Sequence, residues 1–205
     1  MKLAIGIPYH DNFVVAYKFM ESLVRTIPGL FKEHDAHLFF RTGTLVSHVR
    51  NELLKDAHRS DFDAMLWIDS DVRFDPEDVA RLVAQAADDT IVTGLYFTGD
   101  PPYTPNAYMR SETGAYRRLA ELPGIPFEVD ACGFGFLVMG RKAIYGAGDD
   151  PFNEMSVNGF HLGEDLSFCT RAKERGVKIY CDPTIKVGHL RLGEINESNW
   201  LPRSR

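Results

Sequence analysis

The amino-acid sequence predicts an α/β fold with a mostly parallel central sheet, helices on both faces and an added antiparallel part. Three observations predict it. Residues 1–97 alternate short apolar runs with amphipathic stretches, in the order strand, helix, strand, helix, strand, helix, strand. One of the runs, DAMLWID at 63–69, has no polar alternation, which suits a strand covered on both faces. From Thr98 the pattern breaks into short segments among Pro, Gly and Tyr, the mark of hairpins.

The elements follow in order. LAIGIP at 3–8 is a first strand ending at Pro8, and YHDN makes the loop after it. Residues 13–26 place Val14, Ala16, Tyr17, Met20 and Leu23 at the mixed three- and four-residue steps of a helix face. AHLFFRT at 36–42 is a second strand. In TLVSHVRNELLKDAHR, Val46, Val49, Leu53 and Ala57 share one side, with Thr44 or Ser47 as possible N-caps. Residues 63–69 form the third strand. DPEDVARLVAQAA then opens a helix with Asp75 as N-cap, Pro76 at the first helical position and acids in the first turn. TIVTGLYF at 90–97 is the fourth strand. Strand character returns in FEVDACGFGFLVMG at 127–140, and GEDLSFCTRAKERG is a helix stopped by Gly176. VKIYCDP at 177–183 is a last strand. One domain over 1–205 is expected, with a nucleotide-binding half at 1–97 and a half at 98–205 that completes the metal site and receives the acceptor.

Composition bounds the function. A chain that is 44% hydrophobic and 25% charged is that of a folded soluble protein, and a net charge of -6 argues against nucleic acid as the main partner. Cys132, Cys169 and Cys181 are an odd number without a CxxC pair, so neither a disulfide framework nor a structural zinc is expected. The opening MKLAIGIPYH reads as a strand rather than a signal peptide, and no apolar run is long enough to span a membrane. A cytoplasmic location is the corresponding expectation.

The chemistry concentrates in LWIDSDVRFDPED. Side chains alternate along a strand, so Asp69 and Asp71 are expected on one side and Ser70 on the other. They fall at the C-terminal end of a central strand, where open α/β sheets place their ligands. Two hard carboxylate oxygens there suit Mg²⁺ or Mn²⁺ with phosphate oxygens in the remaining positions. The same tripeptide also suits aspartates that cap a turn and the next helix.

LWIDSDVRFDPEDVARLV resembles the DxD segment of nucleotide-sugar-dependent glycosyltransferases with the GT-A fold, of the family-2 type. ACGFGFLVM, GEDLSFCTRAKERGVKIYCDP and VGHL follow in that family's order, so the resemblance spans most of the chain. It implies a GT-A-like, Rossmann-related sandwich and metal-dependent transfer of a sugar from a nucleoside diphosphate sugar, UDP- or GDP-linked, to an acceptor hydroxyl. It implies that Asp69 and Asp71 contact the nucleotide sugar and its metal, and that His189 completes the metal shell. It implies Asp165 as the general base of an inverting enzyme, with Glu164 beside it. Unaided, the residues say less: Asp165 lies in a helix first turn, where the dipole favours a negative charge by about 0.3–1 kcal/mol, keeping the carboxylate ionised, and this equally suits simple capping.

Further candidates follow from position. Pro8 and Tyr9, after the first strand, are placed for the base and ribose, and Ser70 lies within the DxD turn. Arg50 and Asn51 are expected one helical step from the buried face; the resemblance puts Arg50 near the diphosphate, for which its forked donors suit. Gly133 and Gly135 mark a bulge or a close backbone approach. Residues 98–126 have the composition of a lid, with Asp100 and Tyr103 near the sugar; Phe160, His161 and Leu162 are expected on the acceptor side, and Arg191 near the phosphates. Where many relatives carry an aspartate-rich turn after the second strand, this chain has LFFRTGTLVSHVRN. The acceptor is left open among a small molecule, a glycan and a protein; a modified DNA base has no basic stripe to support it. The rival classes are a retaining enzyme on the same fold, a nucleotidyltransferase, which usually has a glycine-rich loop absent from IPYHDN, and a non-catalytic binding domain.

Overall fold

The computed structural model describes residues 1–9, 17–99, 102–190, 194–195 and 197. Its centre is a seven-stranded sheet in the spatial order Phe127–Glu128, Lys178–Lys186, Thr90–Leu95, Phe136–Gly140, Ala64–Ile68, Lys2–Tyr9, Asp35–Thr42. Five of these strands run in one direction, while Phe136–Gly140 and Phe127–Glu128 run against their neighbours. The helices are α1 (Tyr17–Glu33), α2 (Val46–His58), α3 (Pro76–Val83), α4 (Arg141–Gly146) and α5 (Glu164–Glu174).

Two apolar cores lie on the two faces of the sheet. Ala64, Leu66 and Ile68 pack with Phe19 and Leu23 of α1 and Val79 and Leu82 of α3. Met65 and Trp67, on the alternate positions, pack with Leu53 of α2, Ile144 of α4 and Phe168 of α5. All five residues of Ala64–Ile68 are buried, which explains the missing polar alternation.

Local rules account for the helix ends with two exceptions. Asp75 caps α3 through its backbone carbonyl, which accepts from the Asp78 and Val79 amides, and Pro76 occupies the first helical position. Gly176 ends the α5 turn with φ +77°, a conformation open to glycine. The cap of α2, however, is Leu45, with no side-chain bond. Thr44 lies one residue too early and Ser47 already inside the first turn, so neither caps. The first helix, expected to end at Thr26, runs to Glu33 through the exposed Pro28. The expected start of this helix at residue 13 lies outside the described residues.

The second half supplies small antiparallel pieces. Ala107–Arg110 pairs with Tyr116–Arg118 and Ala131–Cys132, as the hairpin expectation for 98–126 required. The run at 127–140 is three short strands rather than one. Gly188–Leu190 pairs antiparallel with Val72–Arg73, with His189 opposite Val72. That pairing carries the far end of the sequence to the DxD turn.

Candidate active site

The strand Ala64–Ile68 ends one residue before Asp69, and a turn follows in which the Val72 amide donates to the Asp69 carbonyl at 3.1 Å. Strand alternation therefore does not extend through Asp71. Asp69, Ser70 and Asp71 all line one cleft of about 140 Å³, together with Pro8, Tyr9, Gly43, Val46 and Val49. The expected opposite orientation of Ser70 is corrected by this turn. The two aspartates nonetheless serve different partners.

Asp69 faces Arg50. The guanidinium donates from Nη2 to both Asp69 oxygens, at 3.1 and 3.0 Å, and from Nη1 to Asp165 Oδ1. One cation thus joins two carboxylates that lie almost a hundred residues apart in sequence. Arg50 has only 4% of its side chain exposed against 26% for each aspartate, so it lies beneath the carboxylates rather than at the cleft surface. Its expected place one step off the buried face gives way to this: Arg50 and Asn51 are buried. The aromatic rings of Phe134 and Phe152 lie 5.5 and 6.0 Å from the guanidinium carbon. Asn51 accepts from the Phe152 amide at 3.0 Å and donates to Asn153 Oδ1 at 3.0 Å, which ties α2 to the 151–153 loop.

Asp71 faces His189. His189 Nδ1 lies 3.1 Å from the Phe97 carbonyl oxygen, and Nε2 lies 3.2 Å from Asp71 Oδ2. A carbonyl oxygen only accepts, so the proton of the neutral imidazole resides on Nδ1. Nε2 then presents a lone pair to a carboxylate oxygen. Two acceptors at that distance need a cation between them, either a proton or a metal ion, and a nitrogen and a hard oxygen are a donor set that fits Mn²⁺ or Mg²⁺. Asp71 is half exposed, with 51% of its side chain open to the cleft side. Among the described residues no three His, Cys, Asp or Glu side chains converge as a metal cluster. Asp69, expected as a third ligand, is engaged by Arg50.

Asp165 lies in the first turn of α5 but does not cap it; the cap is Gly163, without a side-chain bond. Its carboxylate accepts from Arg50 and from the Phe134 amide at 3.2 Å, both outside its own helix. Burial raises its pKa to about 7, against the lowering pull of Arg50, with Glu164 and Asp69 adding to the rise. Where the helix start is expected to keep this group ionised, burial outweighs the pull of Arg50 and of the Phe134 amide. Burial likewise raises Asp69, opposed by Arg50.

Tyr96 is the site residue that the sequence pattern did not single out. It follows the strand Thr90–Leu95 as one aromatic among several, a position with no local signal. Its phenol oxygen accepts from the Gly135 amide at 2.9 Å, and its ring lies edge-on to His189 with centroids 5.8 Å apart. Of the other expected residues, Tyr103 packs against the core and His161 pairs with Glu154 at 3.0 Å on an exposed hairpin, Met155–Val157 with Phe160–Leu162. Asp100 and Arg191 lie outside the described residues.

No family model and no curated protein matches the sequence. Solved structures do match in shape. A197 from STIV aligns with a TM-score of 0.62 at 20% identity, covering 93% of this chain and 86% of that one. GalNAc-T7, crystallised with UDP, GalNAc and Mn²⁺, aligns with a TM-score of 0.57 at 14% identity; 99% of this chain spans 45% of that one. At such identities the likeness is one of fold, and the fold is a GT-A-like α/β sandwich.

Proposed function

We propose that the chain is a metal-dependent glycosyltransferase that moves a sugar from a nucleoside diphosphate sugar to an acceptor hydroxyl with inversion. The observation that carries this reading is the single turn at 69–71, which presents Asp71 with His189 on one side and joins Asp69 through Arg50 to Asp165 on the other. The fold shared with a protein crystallised with UDP, GalNAc and Mn²⁺ supports it.

Each residue has a task in this reading. Pro8 and Tyr9 flank the base and ribose, with Ser70 in the floor of the same cleft. Asp71 and His189 hold the metal, with Asp69 beside them. A bound Mn²⁺ or Mg²⁺ would supply charge neutralisation for the departing UDP or GDP. Asp165 takes the proton of the acceptor hydroxyl, and a carboxylate whose pKa lies at about 7 is well matched to that task near neutral pH. Arg50 holds Asp165 and Asp69 at a fixed separation, a positioning role rather than the direct phosphate contact expected from its sequence position. The Arg41 guanidinium, near the end of the strand Asp35–Thr42 in the stretch that stands where relatives have the aspartate-rich segment, is committed to Asp56 at 2.7 Å.

The test is product analysis with UDP- and GDP-sugars in the presence of Mn²⁺. Released nucleoside diphosphate and an inverted anomeric centre are expected, and both Asp71→Ala and Asp165→Asn lose transfer. Released pyrophosphate would point to nucleotidyl transfer instead. Near-wild-type transfer by Asp165→Asn, with Asp71→Ala inactive, would remove Asp165 from the role of base.

A further inference from the structure

We infer that the hydroxyl of Tyr96 is a second positioning group of the site beside Arg50, setting the Asp165 carboxylate and the Asp69 backbone through the 133–135 turn, and that Gly133 and Gly135 are glycines because of it. The inference rests on the glycosyl-transfer reading only for which of its consequences count as catalytic.

The geometry is specific. Gly135 donates its amide to the Tyr96 oxygen at 2.9 Å. The carbonyl of the same glycine accepts from the Asp69 amide at 2.8 Å, and the preceding amide, that of Phe134, donates to Asp165 Oδ2 at 3.2 Å. Three consecutive peptide groups therefore connect one phenol to the Asp165 carboxylate and to the backbone of Asp69. The phenol is buried, and its pKa is raised well above the ordinary value by that burial, so it remains a neutral hydroxyl throughout the working range. Tyr96 is itself fixed by its backbone amide, which donates to Asn106 Oδ1 at 3.1 Å, while Asn106 Nδ2 bonds Thr93 Oγ1 and the Gly94 carbonyl at 2.9 and 3.1 Å.

The glycines complete the device. A Cβ at 135 would lie 2.9 Å from the Tyr96 oxygen and 3.2 Å from Asp69 Oδ2. A Cβ at 133 would overlap the same phenol oxygen and lie 3.3 Å from the ring carbon that bears it. Neither glycine has positive φ, so backbone conformation does not demand them. The phenol oxygen does. The site is thus built by passing a glycine-flanked turn over one buried hydroxyl, and the aromatic between the glycines, Phe134, is carried into the cluster with Phe152 and Phe168 at centroid distances of 4.9 and 4.8 Å.

The steric half is tested without any assumption about function. Thermal unfolding is measured for wild type, Tyr96→Phe, Gly133→Ala and the double variant. Tyr96→Phe leaves one buried amide without its acceptor and is expected to lower the midpoint by about 2–6 °C. Gly133→Ala is expected to lower it further, and Tyr96→Phe to recover part of that loss in the double variant, because removing the oxygen leaves only the ring carbon to yield a few tenths of an ångström. Additive losses would overturn the steric argument. The positioning half is tested on the donor that wild type turns over. Tyr96→Phe is expected to keep its KM and its affinity for the nucleoside diphosphate with Mn²⁺, while kcat falls on the order of 10–100-fold. Unchanged kcat would overturn the positioning role. Absence of donor turnover by wild type would count against the glycosyltransferase reading, and the unfolding cycle would still decide the steric claim.

Discussion

Replacing Arg50 by Met isolates the ionic bridge from the packing around it. Methionine keeps an unbranched apolar side chain against Phe134 and Phe152 while removing the only cation that bonds both Asp69 and Asp165 among the described residues. Removing one partner of a buried ion pair costs about 3–5 kcal/mol. The two carboxylates retain a quarter of their exposure, so the lower end, about 3 kcal/mol, applies, or roughly 6–12 °C in unfolding midpoint at this chain length. The pH dependence supplies the sharper test. Asp165 has a folded pKa of about 7, raised by burial, so between the ordinary unfolded carboxylate value and 7 the folded state holds a proton that the unfolded state has released. Stability from this group is therefore present at the acidic end and is lost as pH rises through that window. Arg50 opposes the rise at both Asp165 and Asp69; without it the two carboxylates move further up and the loss extends above pH 7. Differential scanning calorimetry of Arg50→Met and wild type at pH 5 and pH 8 should thus show a small difference at pH 5 and a large one at pH 8. Equal differences at both values, or a loss under about 2 °C at pH 8, would refute the bridge as an energetic element. Arg50→Lys should fall between the two proteins, since an ammonium cannot fork between two carboxylates.

Other expectations are independent of that bridge. Asn51→Leu leaves the Phe152 amide and Asn153 Oδ1 without their partner, at about 1–3 kcal/mol for a buried group left unsatisfied, and urea unfolding should show a lower midpoint with an unchanged slope. Gly140→Ala puts a Cβ 2.6 Å from the Ala87 carbonyl carbon and 2.9 Å from the Asp88 oxygen, both backbone atoms that cannot rotate away. Its cost should reach the upper end of overpacking, about 3 kcal/mol, visible as reduced soluble yield or a midpoint lowered by roughly 6–12 °C.

Much of this arrangement was legible locally, and what was not has a common cause. The apolar run Ala64–Ile68, the Asp75–Pro76 start of α3 and the glycine stop of α5 are written in adjacent residues, and each formed where its local chemistry requires. The first helix outran its expected end by passing through the exposed Pro28, a residue that ordinarily breaks a helix interior, so the local pattern does not reveal the continuation. Arg50 was misplaced because a charged residue is buried only when its partners are present, and those partners are 19 and 115 positions away. The break between Ala131–Cys132 and Phe136–Gly140 passes over a phenol that approaches from residue 96. The turn at 69–72 closes locally through the Val72 amide, but its entry is held by the Gly135 carbonyl, a distant partner that accepts from the Asp69 amide.

The most direct test of the proposed site is thermal unfolding of wild type, Asp71→Ala and His189→Ala with UDP, GDP, CDP and dTDP, each with Mn²⁺ and with a chelator. A nucleotide at one hundred times its dissociation constant stabilises the folded state by about 2.7 kcal/mol, or roughly 5–11 °C at this chain length. The expected result is a shift of that size for one nucleotide in wild type with Mn²⁺, absent with chelator and absent in both variants. A shift that persists in Asp71→Ala and His189→Ala, or no shift with any nucleotide at saturating concentration, would contradict a metal-dependent nucleotide site at the 69–71 turn.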